Sequence, residues 1–110
     1  MLEINDGTLT CGHIRLIPAE RKLDAGGRCH HLTPKECQLL EALLRHEGQV
    51  LTRQFLMKKV WQTDYIADTR TLEVHVHWLR EKIEMGDQPR LIFTVRSVGY
   101  VLREPRPMPD

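Results

Sequence analysis

A chain of 110 residues with 41% hydrophobic and 28% charged side chains fits one compact domain and excludes most large enzyme folds. The formal net charge of +1 is too small to indicate a nucleic-acid partner by itself. The apolar runs span only a few residues, whereas a membrane-crossing helix needs roughly 20, so no membrane association is expected. The N-terminus lacks the basic start and apolar stretch of a secretory signal, which predicts a cytoplasmic location.

The cysteines Cys11, Cys29 and Cys37 are odd in number and scattered along the chain. This pattern suits reduced structural thiols better than a disulfide framework, so we expect free thiols and no cofactor. A zinc site on Cys29, His30, His31 and Cys37 is an alternative that requires a strand end and a helix to converge. No carboxylate and histidine pair has the spacing of a hydrolase site, and we expect no enzyme activity.

Positive charge is concentrated in two segments of the chain. Residues 1–52 carry 6 basic and 7 acidic side chains, whereas residues 53–82 carry 6 and 4. Residues 90–106 carry 4 basic side chains and 1 acidic side chain. Because one-sided charge is commonly a solvated face, this distribution does not identify a partner without further signals.

The first third of the chain has the period of strands rather than of helices. Apolar and polar residues alternate over residues 13–16, and Pro18 ends that run. Residues 22–24 and 29–32 flank Ala25-Gly26-Gly27-Arg28, whose paired glycines suit a hairpin turn. These signals predict an N-terminal antiparallel sheet.

A first helix is predicted to begin after Thr33. Thr33 and Glu36 have the spacing of a capping box, and Pro34 occupies the first helical position, where no N–H is needed. Gly48 offers a left-handed exit, so the helix should end near residues 46–47. Leucines at helical spacing predict its buried stripe: Leu39, Leu40, Leu43 and Leu44.

Two further helices are predicted. Thr52 is an N-cap candidate for a short basic second helix. After a loop at residues 62–67, either Asp68 or Thr69 caps a third helix that runs to about Glu84. The apolar residues of the second helix are Phe55, Leu56, Val60 and Trp61, and its cations are Arg53, Lys58 and Lys59. At 100° per residue, the third helix turns Leu72, Val76, Leu79 and Ile83 to the core and Arg70, Val74, His77, Trp78 and Glu81 outward.

The period returns to two after residues 86–89. Residues 92–96 and 100–103 read as strands joined by a turn at Ser97-Val98-Gly99, with arginine on both arms. The proline-rich residues 105–109 cannot continue a sheet. Three helices followed by a basic hairpin describe a helix-turn-helix with a wing, in which a helix fits the major groove of DNA.

Several motifs stand in a fixed order: Leu32-Thr33-Pro34-Lys35-Glu36, Val60-Trp61, Arg70-Thr71-Leu72-Glu73-Val74-His75-Val76, Leu79-Arg80 and Thr94-Val95-Arg96-Ser97-Val98-Gly99-Tyr100. From about His13 to Leu102, the chain resembles the DNA-binding effector domain of OmpR/PhoB-type response regulators. The resemblance implies an α+β winged helix-turn-helix with an N-terminal antiparallel four-stranded sheet, three helices and a C-terminal β-hairpin wing. Residues 1–12 are then a linker and first-strand region, residues 13–103 the winged-helix domain and residues 104–110 a flexible tail.

The resemblance also implies the function. Such domains bind double-stranded DNA specifically at tandem direct repeats, place the third helix in the major groove, and contact RNA polymerase to regulate transcription. They follow a receiver domain that a histidine kinase phosphorylates in a two-component phosphorelay, and we expect this chain to be the excised C-terminal half of such a protein. Without the receiver, it should be a monomer in solution. A winged-helix adaptor that binds proteins is the alternative, favoured by the low net charge, Glu81 and Val101.

The resemblance assigns roles to individual side chains. Phosphate contacts are expected from the start of the third helix, from the second helix and from His75 and Arg80. Base contacts are expected from the middle of the third helix, and a wing contact from Arg96. The expected DNA-binding residues are Arg53, Trp61, Arg70, Thr71, Val74, His75, His77, Trp78, Arg80, Arg96, Tyr100 and Arg103. The loop expected to meet RNA polymerase contains Gln62, Thr63, Asp64, Tyr65 and Ile66, with a mobile connector as the alternative.

Some positions depart from the family pattern or allow a second interpretation. Trp78 stands where a long basic residue is common, and it either packs against a sugar or thymine methyl or flanks the core. Val101 stands where an arginine often enters the minor groove, and Arg103 on the same strand face partly replaces it. His75 and Trp61 have packing roles as their alternatives.

Overall fold

The computed structural model describes residues 7–64 and 69–105. A four-stranded sheet is followed by three helices and a second, three-stranded sheet, which confirms the α+β winged-helix architecture. The strands are β1 (Leu9–Cys11), β2 (Ile14–Ile17), β3 (Lys22–Ala25), β4 (Arg28–His31), β5 (Leu51–Thr52), β6 (Ile92–Val95) and β7 (Gly99–Leu102). The helices are α1 (Pro34–Arg45), α2 (Arg53–Trp61) and α3 (Arg70–Ile83), and a 3₁₀ turn covers Pro18–Glu20.

The N-terminal sheet is antiparallel throughout, in the order β1-β2-β3-β4. Leu16 and Leu23 lie opposite each other on its inner face and are fully buried. Gly26 and Gly27 form the β3–β4 turn with positive φ, and the Gly27 amide donates to the Asp24 carboxylate over 3.0 Å. The predicted hairpin is therefore confirmed, and the paired glycines are required by the backbone conformation.

The first helix begins as the capping box predicts. The Glu36 amide donates to Thr33 Oγ1 over 3.2 Å, and the Thr33 amide donates to Glu36 Oε1 over 2.9 Å. The helix ends at Arg45, slightly before the predicted 46–47, with His46 as its C-cap. All four leucines of the predicted stripe are buried.

The second helix begins at the predicted cap, where the Phe55 amide donates to Thr52 Oγ1 over 3.0 Å. Its apolar residues divide between interior and surface. Leu56 and Val60 are buried and Trp61 is half-buried, whereas Phe55 is exposed and sets its ring edge-on against His46. Only some of the apolar side chains of α2 therefore pack in the core.

The third helix has the predicted buried stripe of Leu72, Val76, Leu79 and Ile83. Thr69, one of the two predicted caps, occupies the N-cap position but makes no side-chain capping bond. Its ψ of 13° departs from the extended conformation of capping residues, and its hydroxyl instead contacts Glu73 over 3.2 Å. Asp68, the other predicted cap, lies outside the described residues.

The second sheet has the order β5-β7-β6. Its hairpin strands end at Val95 and Leu102, each one residue before the predicted ends. The strand β5 was not predicted, because its two residues are too few to show a period. It pairs Leu51 with Tyr100 and Thr52 with Gly99, which joins the start of α2 directly to the wing.

Two long-range contacts fix the C-terminal end of α3. The Lys82 ammonium donates to the buried Glu36 carboxylate of α1 over 2.5 Å, and His13 Nε2 donates to the Ile83 carbonyl over 2.7 Å. One contact comes from α1 and the other from the turn between β1 and β2. The opposite side of α3 lies at the surface.

Candidate nucleic-acid interface

The outward face of α3 is exposed as the wheel predicts. Val74 and Trp78 are 41% and 39% exposed, and their spacing of four residues makes them neighbours on the helix surface. The other exposed members of this face are Arg70, Thr71, His77 and Glu81. The structure therefore brings together the residues that the sequence assigned to phosphate contact at the start of the helix and to base contact in its middle.

Trp61, His75 and Trp78 form an aromatic row between α2 and α3. The His75 ring lies 5.0 Å from each tryptophan ring, measured between centroids. Its Nδ1 is 2.7 Å from the Thr71 carbonyl, and because a carbonyl only accepts, Nδ1 must carry the hydrogen. Any contact from His75 to DNA must therefore use Nε2. Both sequence interpretations of His75 and Trp61, packing and surface contact, are compatible with this geometry.

Arg80 connects α3 to the wing. Its Nε donates to the Ile92 carbonyl over 3.1 Å, and its Nη2 donates to Thr94 Oγ1 over 2.7 Å. Burial lowers the pKa of its guanidinium, because a charged group loses solvation inside the protein. These inward bonds give Arg80 a structural role that the sequence did not suggest, and its phosphate contact stays a prediction.

Tyr100 lies beneath the two arginines that flank the wing. It is only 4% exposed, and its ring centroid is 5.4 Å from the Arg53 guanidinium carbon and 5.8 Å from that of Arg80. Both distances are those of a cation–π contact. Tyr100 can therefore orient both arginines, while its own contact with DNA stays a prediction.

We expect Arg80→Ala to lower the free energy of unfolding by about 2 kcal/mol, because two charge-assisted hydrogen bonds between α3 and the wing are lost. Urea unfolding of Arg80→Ala and of the unsubstituted chain measures the effect. Arg96→Ala is the control, since Arg96 is exposed at the end of β6 and should change stability by less than about 0.5 kcal/mol. Equal stability of the two variants would contradict the structural role of Arg80.

The wing carries its cations in two different environments. Arg96 is exposed beside the turn, where Ser97 has a φ of 66°. Arg103 stacks on the Phe93 ring at 4.1 Å and donates from Nη1 to the Glu104 carbonyl. Val101 pairs with Phe93 across the hairpin and is buried. The face on which Arg103 was expected to replace an arginine at 101 is thus occupied by packed side chains.

A groove of about 360 Å³ joins the starts of α2 and α3 to the turn of the wing. The Arg53 amide donates to the Val98 carbonyl there over 3.2 Å. The groove is lined by Thr52, Arg53, Gln54, Thr69, Ser97 and Val98. Gln54, Thr69 and Ser97 were not among the expected DNA-binding residues, although Gln54 and Thr69 lie at helix starts, which favour anion contact.

The loop assigned to RNA polymerase is described only in part. Gln62 ends α2 in a left-handed conformation, and Asp64 forms an exposed ion pair with Lys58 over 3.6 Å. Thr63 is half-buried. Tyr65 and Ile66 lie outside the described residues.

The cysteines do not form a metal site in the described residues. Across 7–64 and 69–105, no group of three histidine, cysteine or acidic side chains is placed to hold a metal ion. Cys29 is exposed, whereas Cys37 is buried and burial raises the pKa of its thiol. Burial likewise raises the pKa of Cys11 to about 12. Because metals bind thiolates, the zinc alternative gains no support.

No helix in the described part of the chain is long and apolar enough to span a bilayer.

The exposed helix face, the basic wing and the groove between them define a winged-helix DNA-binding domain. Residues 27–102 match the family model described as "Transcriptional regulatory protein, C terminal". The chain belongs to this family, the effector domains of OmpR/PhoB-type response regulators. Its role is therefore that of a DNA-binding effector in transcription regulation.

Individual relatives agree with this membership. The chain is 45% identical over 101 residues to the sensory transduction protein RegX3 of Mycobacterium leprae, covering 91% of this chain and 51% of that protein. The DNA-binding domain of Escherichia coli CadC superposes with a TM-score of 0.78 at 28% identity, covering 89% and 92% of the two chains. The Klebsiella pneumoniae RstA DNA-binding domain, solved in complex with the RstA box, gives 0.76 at 29% identity, covering 87% and 96%. The chain thus spans about half the length of the curated relative.

Proposed function

We propose that this chain binds double-stranded DNA in a sequence-specific manner, with α3 in the major groove and the wing against the neighbouring backbone. The exposed outward face of α3 is the observation that carries this proposal. A helix fits the major groove, which is about 12 Å wide and distinguishes all four base pairs. The similarity to the RstA DNA-binding domain, which was solved in complex with the RstA box, supports binding to DNA.

The positions of the side chains on the surface suggest which of them contact phosphates and which contact bases. Arg70 and Thr71 lie at the start of α3, where backbone amides and the helix dipole favour phosphate. Arg53 lines the groove that joins the start of α2 to the turn of the wing, and Arg96 precedes Ser97 of that turn. At the other end of α2, Trp61 packs against His75 of α3. Val74, His77 and Trp78 project from the middle of α3 toward base edges. Arg80, Tyr100 and Arg103 would support the wing that makes these contacts.

The larger protein is part of the same proposal. Because the chain covers about half of its curated relative, a receiver domain controlled by a histidine kinase would account for the remainder. In that arrangement residues 13–103 form the effector domain, binding occurs at tandem direct repeats in the cytoplasm, and the loop from Gln62 to Ile66 meets RNA polymerase. The isolated chain would be monomeric in solution.

The test of specificity is selection of bound duplexes from a randomised pool at low and at moderate salt, followed by sequencing. We expect enrichment of a direct repeat with half-sites about one helical turn apart. If the pool stays random, two covalently joined copies of the chain should be selected in the same way, because linkage raises the effective concentration. Absence of enrichment by the joined copies would contradict the proposal and favour the protein-binding adaptor.

Arg70→Ala should weaken binding to every duplex by a similar factor and make the salt slope shallower by about one, because one phosphate contact is lost. His77→Ala should instead change which duplexes are preferred. Fluorescence anisotropy at several salt concentrations measures both effects, with Arg15→Ala, on the exposed side of β2, as the control cation. An unchanged salt slope for Arg70→Ala would remove the phosphate contact from the proposal.

A further inference from the structure

The long cations in the central and C-terminal part of α3 are used within the protein. From Thr71 to Ile83 the only lysine and arginine residues are Lys82 and Arg80. Lys82 binds the buried carboxylate of Glu36, and Arg80 binds the wing. Recognition of guanine in the major groove commonly uses arginine or lysine on its O6 and N7 atoms. This part of α3 therefore presents no such side chain to base edges.

The centre of the outward face is apolar instead. Val74 and Trp78 are neighbours one turn apart, and both are among the most exposed large apolar side chains of the described residues. An apolar side chain contacts one base feature of the major groove favourably, which is the 5-methyl group of thymine. This pair exposes apolar surface to water, and contact with methyl groups would bury that surface.

Trp78 is held in place before any DNA arrives. Its ring packs at a 56° tilt on His75, which is bonded to the Thr71 carbonyl and packs edge-on against Trp61. Trp61 in turn packs against the hydrophobic core. Because this row restrains the indole, little side-chain entropy remains to be lost when a methyl group contacts it.

The carboxylate of Glu81, near Trp78, also disfavours contact with the acceptor atoms of guanine. Glu81 lies one turn after His77, and the His77 Nε2 is 3.7 Å from the Glu81 carboxylate. A carboxylate accepts hydrogen bonds and therefore repels the acceptors O6 and N7 of guanine, whereas it can accept from the amino group of cytosine. The outward face thus combines attraction to methyl groups with a carboxylate at Glu81 that cannot donate to guanine O6 or N7.

We infer that this chain recognises its half-site through thymine 5-methyl groups, with Trp78 and Val74 as the residues that determine specificity. The inference rests on the proposed binding of α3 in the major groove. It predicts that selected half-sites contain thymine, rather than guanine, opposite the middle of α3.

The test replaces each thymine of the selected half-site by deoxyuridine, which removes the methyl group and keeps every hydrogen-bonding atom. We expect an affinity loss of about fourfold at each thymine in contact with Trp78 or Val74, the value for one buried methyl-sized group. Trp78→Ala should bind more weakly and lose the deoxyuridine penalty at the positions under the indole. Val74→Ala should lose it at an adjacent position.

Matched variants separate a methyl contact from a change in folding. Trp78→Phe keeps an apolar face and should keep a penalty, whereas Trp78→Arg should shift the preference toward guanine at the same position. Val50→Ala is the control, since Val50 is as exposed as Val74 but lies outside α3. Circular dichroism and urea unfolding establish that each variant is folded.

The inference and the proposed function are contradicted by different outcomes. Specific binding with equal affinity for thymine and deoxyuridine duplexes overturns the inference and leaves the proposed function intact. A penalty that persists unchanged in Trp78→Ala and Val74→Ala assigns the methyl contacts to other residues and also overturns it. If joined copies of the chain enrich no sequence, the proposed function fails and the inference fails with it.

Discussion

Lys82→Met is expected to lower the free energy of unfolding by about 3 kcal/mol at neutral pH, because it leaves the buried carboxylate of Glu36 without its cation. Glu36 is only 2% exposed and Lys82 holds it from α3 over 2.5 Å. The methionine keeps most of the apolar stem of lysine, so the loss reports the charge rather than the packing. Urea unfolding of both proteins measures the difference.

The pH dependence of stability gives a second readout of the same pair. Burial by itself raises the pKa of the Glu36 carboxyl, but the hydrogen bonds from Lys82 and from the Thr33 amide outweigh it, and the pKa lies below its usual value. A lowered folded-state pKa contributes stability that is complete above the unfolded value of about 4.3 and is lost as the pH falls through the folded value. Lys82→Met should therefore weaken this acid-side loss.

The control for Lys82→Met is an exposed ion pair in α1. Arg45 binds Glu41 over 2.9 Å at the surface, so Arg45→Met should cost less than about 1 kcal/mol. A loss for Lys82→Met as small as that for Arg45→Met would show that Glu36 is solvated or otherwise compensated. The pair would then have no special part in fixing α3 to α1.

Gly99→Ala is expected to destabilise the domain by about 3 kcal/mol, because the added methyl group has no space. A Cβ at Gly99 would lie 1.9 Å from the Leu51 carbonyl oxygen, a backbone atom of the neighbouring strand β5. The added methyl group has no rotamer that avoids this oxygen. Strand β5 can move away only by losing its pairing with β7 of the wing. Thermal and urea unfolding of the variant measure the cost.

Gly48→Ala separates this steric effect from backbone conformation. Gly48 has a φ of 85° with open space where a Cβ would be added, so alanine there pays only the conformational strain, about 1 kcal/mol. Equal costs for Gly48→Ala and Gly99→Ala would show that β5 relaxes away from the wing. Because β5 leads directly into α2, such relaxation would also move the wing relative to the helices.

Local signals account for the elements that the sequence predicted correctly. The capping box of Thr33 and Glu36, the glycine turn after β3 and the leucine stripe of α1 each depend on residues within about a turn or two of one another. Such signals act through hydrogen bonds and packing between residues that are close together in the sequence. The resemblance in motif order added the family, and the family model agrees with it.

Two local features were missed. Thr69 has a ψ of 13° and makes no side-chain capping bond, and β5 has too few residues to produce a pattern. Contacts with residues distant in the sequence were missed as well. Arg80 was expected to contact DNA, yet its bonding partners Ile92 and Thr94 are 12 and 14 residues away along the chain. The wheel gives a direction for a side chain but does not show what lies there.

The amino-acid sequence by itself determined the order of the helices and of the strands other than β5, the caps of α1 and α2, and which face of α3 turns away from the core, because these properties follow from local hydrogen bonding and from hydrophobic period. Only the tertiary structure decided which cations remain at the surface. Lys82 is committed to Glu36, 46 residues away, and Arg80 to the wing. Desolvation of a charge is offset only by a partner at bonding distance, and that distance exists only after the chain has folded.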